Sequence, residues 1–280
     1  MSTTHLPERE GERRPPFPLW VCYAVIAVGV GLLLWFEFGK PVLAEDKLLS
    51  ELMTMTLTRC IGAAVFLVIL IYRGFRVLNP FRKGTLRALL FSLPAWAVVI
   101  NNAPILSTLR GDAYLVHAEP TYIAWLAAEC LAIGLFEELA FRGVILLSLA
   151  EDRRKTRLDL FVCIILSSAV FGAVHLANLL AGAGAGAVLR QIGYSFLIGA
   201  MCSVVLYRTR NIWLCVLLHA VYDFSGSLMP TLGAGRWWDT PTVVFTVILA
   251  LAVTAFYVVA LWRTPPESLE CIYQKRGDSL

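Results

Sequence analysis

Six side chains define the chemistry open to this 280-residue chain: Glu137, Glu138, Arg142, His175, His219 and Asp223. All lie inside apolar runs, where an ionisable group is costly and therefore points to function. Glu138 and Arg142 are spaced i,i+4 with the acid first, the order that favours an ion pair on a helix. Glu137 is turned about 100° from Glu138, so that pair leaves it free to face another helix. His219 and Asp223 are also i,i+4, so one helix face presents both, and Asp223 can orient His219 or share a ligand with it. A carboxylate beside an imidazole in a dry site can act as general base on water. A second histidine with a polar partner can stabilise the oxyanion formed when water attacks an amide. The same Glu137, His175, His219 and Asp223 can instead hold a divalent metal such as zinc, with one position left for water.

The elements that must position these residues follow from composition. The chain is 58% hydrophobic and 16% charged, with a mean hydropathy of +0.71. A soluble domain is about a quarter charged, so a disordered chain, a disulfide scaffold and a nucleic-acid binder are excluded. Cys22, Cys60, Cys130, Cys163, Cys202 and Cys215 sit in apolar runs and Cys271 in the polar tail, with no Cys-x-x-Cys pair. Thiols so placed act as small hydrophobes. A spanning helix needs about 20 mostly apolar residues. Eight stretches qualify: 18–39, 52–72, 87–109, 121–149, 160–180, 190–207, 211–229 and 242–262. The expected fold is thus all-α and polytopic, an eight-helix domain over 18–262 between tails at 1–17 and 263–280.

Local features refine this outline. The fourth span is over-long and charged, so it is expected to tilt, kink or break. Spans six and seven are joined only by Arg208-Thr209-Arg210, which makes them antiparallel neighbours. The first span reads as an uncleaved anchor and not as a signal peptide cut near Ala44, because its apolar run is long and its flank mixes acids with arginines. The Ala/Gly run 181–187 reads as a flexible or closely packed loop. Alternate loops, starting with the N-terminal tail, hold 17 Lys and Arg against five in the opposite loops, which places both termini in the cytoplasm. The composition is that of a prokaryotic inner-membrane protein.

Depth separates the six from the other ionisable groups. At 1.5 Å per residue from the cytoplasmic ends, Glu137 lies about 20 Å in, His175 about 23 Å, His219 about 12 Å and Asp223 about 18 Å. The four are compatible with one layer near the bilayer midplane. Glu37 sits at a span end and snorkels into the headgroups. Arg59 and Glu129 lie at similar depth and are expected to pair structurally. Asn101 and Asn102, followed by Pro104, mark a kink in span three and are candidates for positioning or substrate binding.

The order of the six is also distinctive. Glu137-Glu138-Leu139-Ala140-Phe141-Arg142 has the form E-E-x-x-x-R. Phe171-Gly172-Ala173-Val174-His175 has the form F-x-x-x-H, and His219-Ala220-Val221-Tyr222-Asp223 the form H-x-x-x-N/D. Together they resemble the three motifs of the CPBP family of CAAX proteases and bacteriocin-processing enzymes, also called Abi, over about 120–229. The resemblance implies an intramembrane endopeptidase acting on a membrane-anchored protein or peptide. It implies that Glu137 with His175 activates water, that Glu138 and Arg142 support the site, and that His219 with residue 223 polarises the scissile carbonyl. Phe171 enters as part of the second motif. One departure is Asp223 where the prenyl-protein branch has Asn: an aspartate donates to an oxyanion only when protonated.

Rival readings use the same residues. Gly193-Tyr194-Ser195-Phe196 resembles the start of a rhomboid Gly-x-Ser-Gly motif but lacks the second glycine. An aspartyl dyad needs a second intramembrane Asp, and a zincin needs His-Glu-x-x-His; neither is present. A transporter or a non-catalytic scaffold is the alternative from another class, against which stand the lack of an inverted repeat and the clustering of the charges.

Overall fold

The computed structural model describes residues 21–273, except for positions 22, 23, 26, 30, 33, 34, 36–38, 40, 81–83, 181 and 239. Glu37 and the N-terminal tail therefore lie outside the described residues. Among the described residues, seven long helices build the bundle. They are α1 (Lys47–Arg73), α2 (Thr85–Asn101), α3 (Pro120–Glu137), α4 (Arg157–Val174), α5 (Ala185–Thr209), α6 (Ile212–Leu232) and α7 (Thr240–Trp262). The described positions between 21 and 39 are helical as well. Among the described residues, five helices are long and apolar enough to cross a bilayer: α1, α4 with its continuation to Leu180, α5, α6 and α7. The chain is an all-helical integral membrane protein.

Helix ends follow from local chemistry. Asp46 caps α1 by accepting from the Leu49 N–H, and Gly74 closes it in the left-handed region at φ 73°. Thr156 and Asp159 form a capping box at the start of α4. Asn211 caps α6, two residues after α5 ends, and Arg210 makes the reversal at φ 55°, so α5 and α6 do run back to back. The Ala/Gly run divides: α5 already begins at Ala185, where small residues are compatible with helix. Span three breaks as expected, because α2 stops at Asn101 and Pro104 starts a new short helix, Ile105–Leu109. The fourth stretch is in pieces, α3 passing into a π-helix at Glu138–Leu146 and then an α-turn at Leu147–Glu151.

The packing is nested. α3 lies between α1 and α6, α4 pairs with α5, and the π-helix touches α1, α4, α5 and α6. Leu89, Leu90 and Leu93 of α2 and Val247, Ile248 and Leu251 of α7 point outward. So wide an apolar exterior suits hydrocarbon and not water. α3 meets α6 at Gly134, where an added Cβ would lie 3.0 Å from the Val216 carbonyl oxygen and 3.1 Å from the Ala220 nitrogen. Small residues let membrane helices approach this closely. Gly134→Val should therefore cost about 1–3 kcal/mol by overpacking, read as a lowered unfolding midpoint in micelles. An unchanged midpoint would mean that the two helices separate freely.

Each end of the bundle is closed. At one, Ala113–Leu115 pairs antiparallel with Gly233–Gly235, a short ribbon that no apolar periodicity announces. At the other, the segment after α7 folds back. Leu269 and Ile272 are fully buried, the Arg76 N–H donates to the Ile272 carbonyl at 2.9 Å, and Tyr273 donates to the Leu147 carbonyl at 3.1 Å. Residues up to 273 thus form part of the fold and not a free tail. Arg154 stacks on Tyr273, Arg208 reaches Thr264, and Arg73 pairs with Glu151. Basic residues from three separate links thus converge on this end.

Candidate active site

The site is built where α3 gives way to the π-helix. In a π-helix the backbone bonds run i to i+5, and such segments are frequent at functional sites. The wider turn changes the angular step that α-helical counting assumes. Within it, the Phe141 carbonyl accepts from Ser167 of α4 at 3.0 Å. Glu138 and Arg142 are completely buried, and Glu138 Oε1 lies 2.9 Å from Arg142 Nη1. The contact is an ion pair and not an aligned hydrogen bond. The guanidinium lies over the Phe171 ring, 4.3 Å from its centre. Gly199 of α5 makes room for it, since a Cβ there would sit 2.7 Å from Arg142 Nη2.

The same Glu138 oxygen accepts from His219 Nδ1 at 2.7 Å across 81 positions of sequence. Nδ1 is thereby committed to a buried carboxylate, which sets the ring orientation and leaves Nε2 to face Glu137 and Asp223. Nε2 lies 3.5 Å from Glu137 Oε2 and 3.5 Å from Asp223 Oδ2. Sequence spacing did not reveal this tie. It made Glu138 the partner of Arg142 alone, whereas the carboxylate joins Arg142 to His219.

His175 is the C-cap residue of α4. Its ring stands edge-on to Phe171 at 5.4 Å, and His219 does the same at 5.7 Å. Phe171 thus keeps both imidazoles and Arg142 in place from one position, and it packs on Phe141 as well. His175 Nε2 is buried with no hydrogen-bond partner among the described residues. Glu137, His175, His219 and Asp223, contributed by three different helices, line one cavity of about 270 Å³.

Other side chains sort differently. Ser195 also lines the cavity, but both ring nitrogens of His219 face carboxylates, which leaves the serine–histidine reading without its base. Asn101 and Asn102 do not line it. Asn101 donates to Thr246 of α7 at 2.7 Å, and Asn102 to the Tyr222 carbonyl at 2.8 Å, so Asn102 reaches the site only through the backbone beside Asp223. Arg59, expected to pair with Glu129, rests on the Phe136 ring at 5.1 Å and lines the cavity. Glu129 is close enough to feel its charge. Asn178, Gln191, Tyr194 and Tyr222 join the lining. Reading the sequence for ionisable groups passed over these neutral residues, and the i,i+3 spacing of Gln191 and Tyr194 on a single helix face was the signal present.

A metal ion needs its donor atoms gathered around one point. Among the described residues, Glu138, Cys202 and Cys215 have donor atoms within 4.8 Å of one another. That trio sits behind the cavity, with Arg142 beside the carboxylate and the Cys215 thiol donating to the Cys202 carbonyl. A cation would meet a guanidinium already in place there. Glu137, His175, His219 and Asp223 do not close to that spacing around one point, so no step is derived through a metal.

Residues 119–225 match the family described as Type II CAAX prenyl endopeptidase Rce1-like. Over these residues the chain is similar to the Rce1-like family. The match covers the three motifs together, with Glu137, Glu138, Arg142, His175, His219 and Asp223, and ends two residues beyond Asp223. The Rce1-like segment is thus α3, the π-helix, α4, α5 and the first two-thirds of α6, with α1 and α7 outside it. No curated protein and no solved structure matches the chain. The family is one of peptidases, and it carries the CPBP and CAAX-protease resemblance read from the motifs.

Proposed function

We propose that this protein is an intramembrane endopeptidase that hydrolyses a peptide bond of a membrane-anchored protein or peptide with water activated by Glu137. The observation that carries this reading is the convergence of Glu137, His175, His219 and Asp223 on one cavity, with His175 Nε2 unpartnered and His219 Nε2 turned inward. A water held between Glu137 and His175 adds through its oxygen to the carbonyl carbon, and Glu137 takes the proton. The carbonyl π electrons move onto oxygen. His219 Nε2, when it carries a proton, donates to that oxyanion. The C–N bond then breaks as Glu137 returns its proton to the leaving nitrogen. Glu138 and Arg142 act through His219, which they hold in place, and Asp223 positions the Nε2 side of the same ring.

The eight-span layout over 18–262, cytoplasmic termini, residence in a prokaryotic inner membrane and a midplane site belong to this proposal. The converging basic links and the outward apolar faces support them. So does the glutamic mechanism in place of a zinc-dependent one, supported by the donor spacing. The test is digestion of membrane-anchored peptides by the full chain in proteoliposomes, with new termini read by mass spectrometry and chelators added in parallel. Cleavage that persists in chelator supports the glutamic form. Loss restored by zinc overturns it in favour of the metal. Solute flux with no cleavage would favour a transporter.

A further inference from the structure

The cavity contains one feature that the proposed chemistry does not use. Arg59 stands near the middle of α1, outside the family-matched segment, and is the one Lys or Arg among the described residues lining the cavity. It does not hang loosely. Its guanidinium rests on the ring of Phe136, the residue before Glu137. That ring is itself clamped: Phe66 packs on it at 5.6 Å, and a Cβ on Gly62 would come within 2.5 Å of it. Arg59 and the proposed general base are therefore set by one rigid contact between α1 and α3.

The Arg59 Nε–H is buried and has no hydrogen-bond acceptor among the described residues. Glu137 and Asp223 are turned to His219. Glu129 feels the Arg59 charge but makes no hydrogen bond or close ion pair with it, and on the cavity wall Asn178 donates to Gln191 at 2.7 Å. A guanidinium with an unsatisfied N–H beside a cavity matches one ligand group best, a carboxylate taken in fork geometry.

We propose that Arg59 is a specificity-determining residue that binds a carboxylate of the substrate, either the free C-terminus or an Asp or Glu side chain near the cleaved bond. The inference rests on the endopeptidase reading above. It makes the cavity selective for peptides that bring an anion to α1 while the scissile carbonyl lies between Glu137 and His219.

The test is digestion of a mixed-sequence library of apolar peptides, with and without a lipidated cysteine, by the full chain in proteoliposomes. Each peptide is supplied as the C-terminal acid and as the amide, and a further amide set has one Asp or Glu. A hydrogen bond to a charged group is worth about 1.5–3 kcal/mol, which is roughly 10- to 100-fold in kcat/KM. The expected result is a preference of that size, mainly in KM, for acids over amides or for Asp- and Glu-bearing amides over neutral ones. Which of the two appears identifies the carboxylate. Arg59→Gln should collapse the ratio to about one, and Arg59→Lys should keep part of it. Cleavage with no such preference, or a preference that survives in Arg59→Gln, overturns the role of Arg59 and leaves the endopeptidase reading intact. No cleavage of any peptide overturns both.

Discussion

Glu137→Gln should lower kcat by roughly 10²–10⁴-fold, the usual contribution of a positioned general base, with KM near that of the parent. The amide has the shape of the carboxylate and can still hold a water, but it cannot take that water's proton. The substitution leaves the scaffold of the site alone. Glu138 continues to accept from His219 Nδ1 at 2.7 Å, and Phe171 continues to space the two imidazoles. The loss therefore falls on chemistry and not on folding. Single-turnover cleavage in proteoliposomes, alongside an unfolding midpoint, separates the two. A Glu137→Gln rate within about twofold of the parent rate would remove Glu137 from the reaction.

Arg142→Met should produce a large loss of stability. The thioether fills much of the guanidinium's space against Phe171, so a cavity is a minor part of the cost. The main part is electrostatic, because Glu138, fully buried, is left with His219 as its remaining partner. Breaking a buried pair by removing one member costs about 3–5 kcal/mol. The double variant Arg142→Met/Glu138→Leu removes the stranded charge and should recover a substantial share of that stability. It should not recover cleavage, because His219 then loses the acceptor that orients it. The two residues are in contact, so their effects do not add. Chemical unfolding in micelles measures the cycle. A single variant within about 1 kcal/mol of the parent, or a double variant less stable than the single, would show that Glu138 is not held as a buried ion.

Much of this molecule was visible from the chain. Apolar runs of spanning length located α1, α4, α5, α6 and α7, because a bilayer imposes one length on every crossing helix. The Arg208-Thr209-Arg210 link foretold the reversal between α5 and α6. The break after Asn101 followed from Pro104. The ribbon between Ala113–Leu115 and Gly233–Gly235 was not visible, since three-residue strands are too short to show alternation. Nor was the docking of Leu269 and Ile272, whose burial depends on a groove assembled from distant links.

The site divides along the same line. The sequence alone determined which side chains are expensive in a membrane and the three motifs on which they ride, because charge cost and spacing are local properties. Tertiary structure decided the partnerships. Glu138 joins Arg142 to His219, His219 Nε2 faces Glu137 and Asp223, and Phe171 separates the imidazoles, none of which follows from a constant 100° step. The π-helix at Glu138–Leu146 is the physical reason. It alters the rotation of every residue after Glu137, and only the packing of α1, α4, α5 and α6 around it fixes where those side chains point.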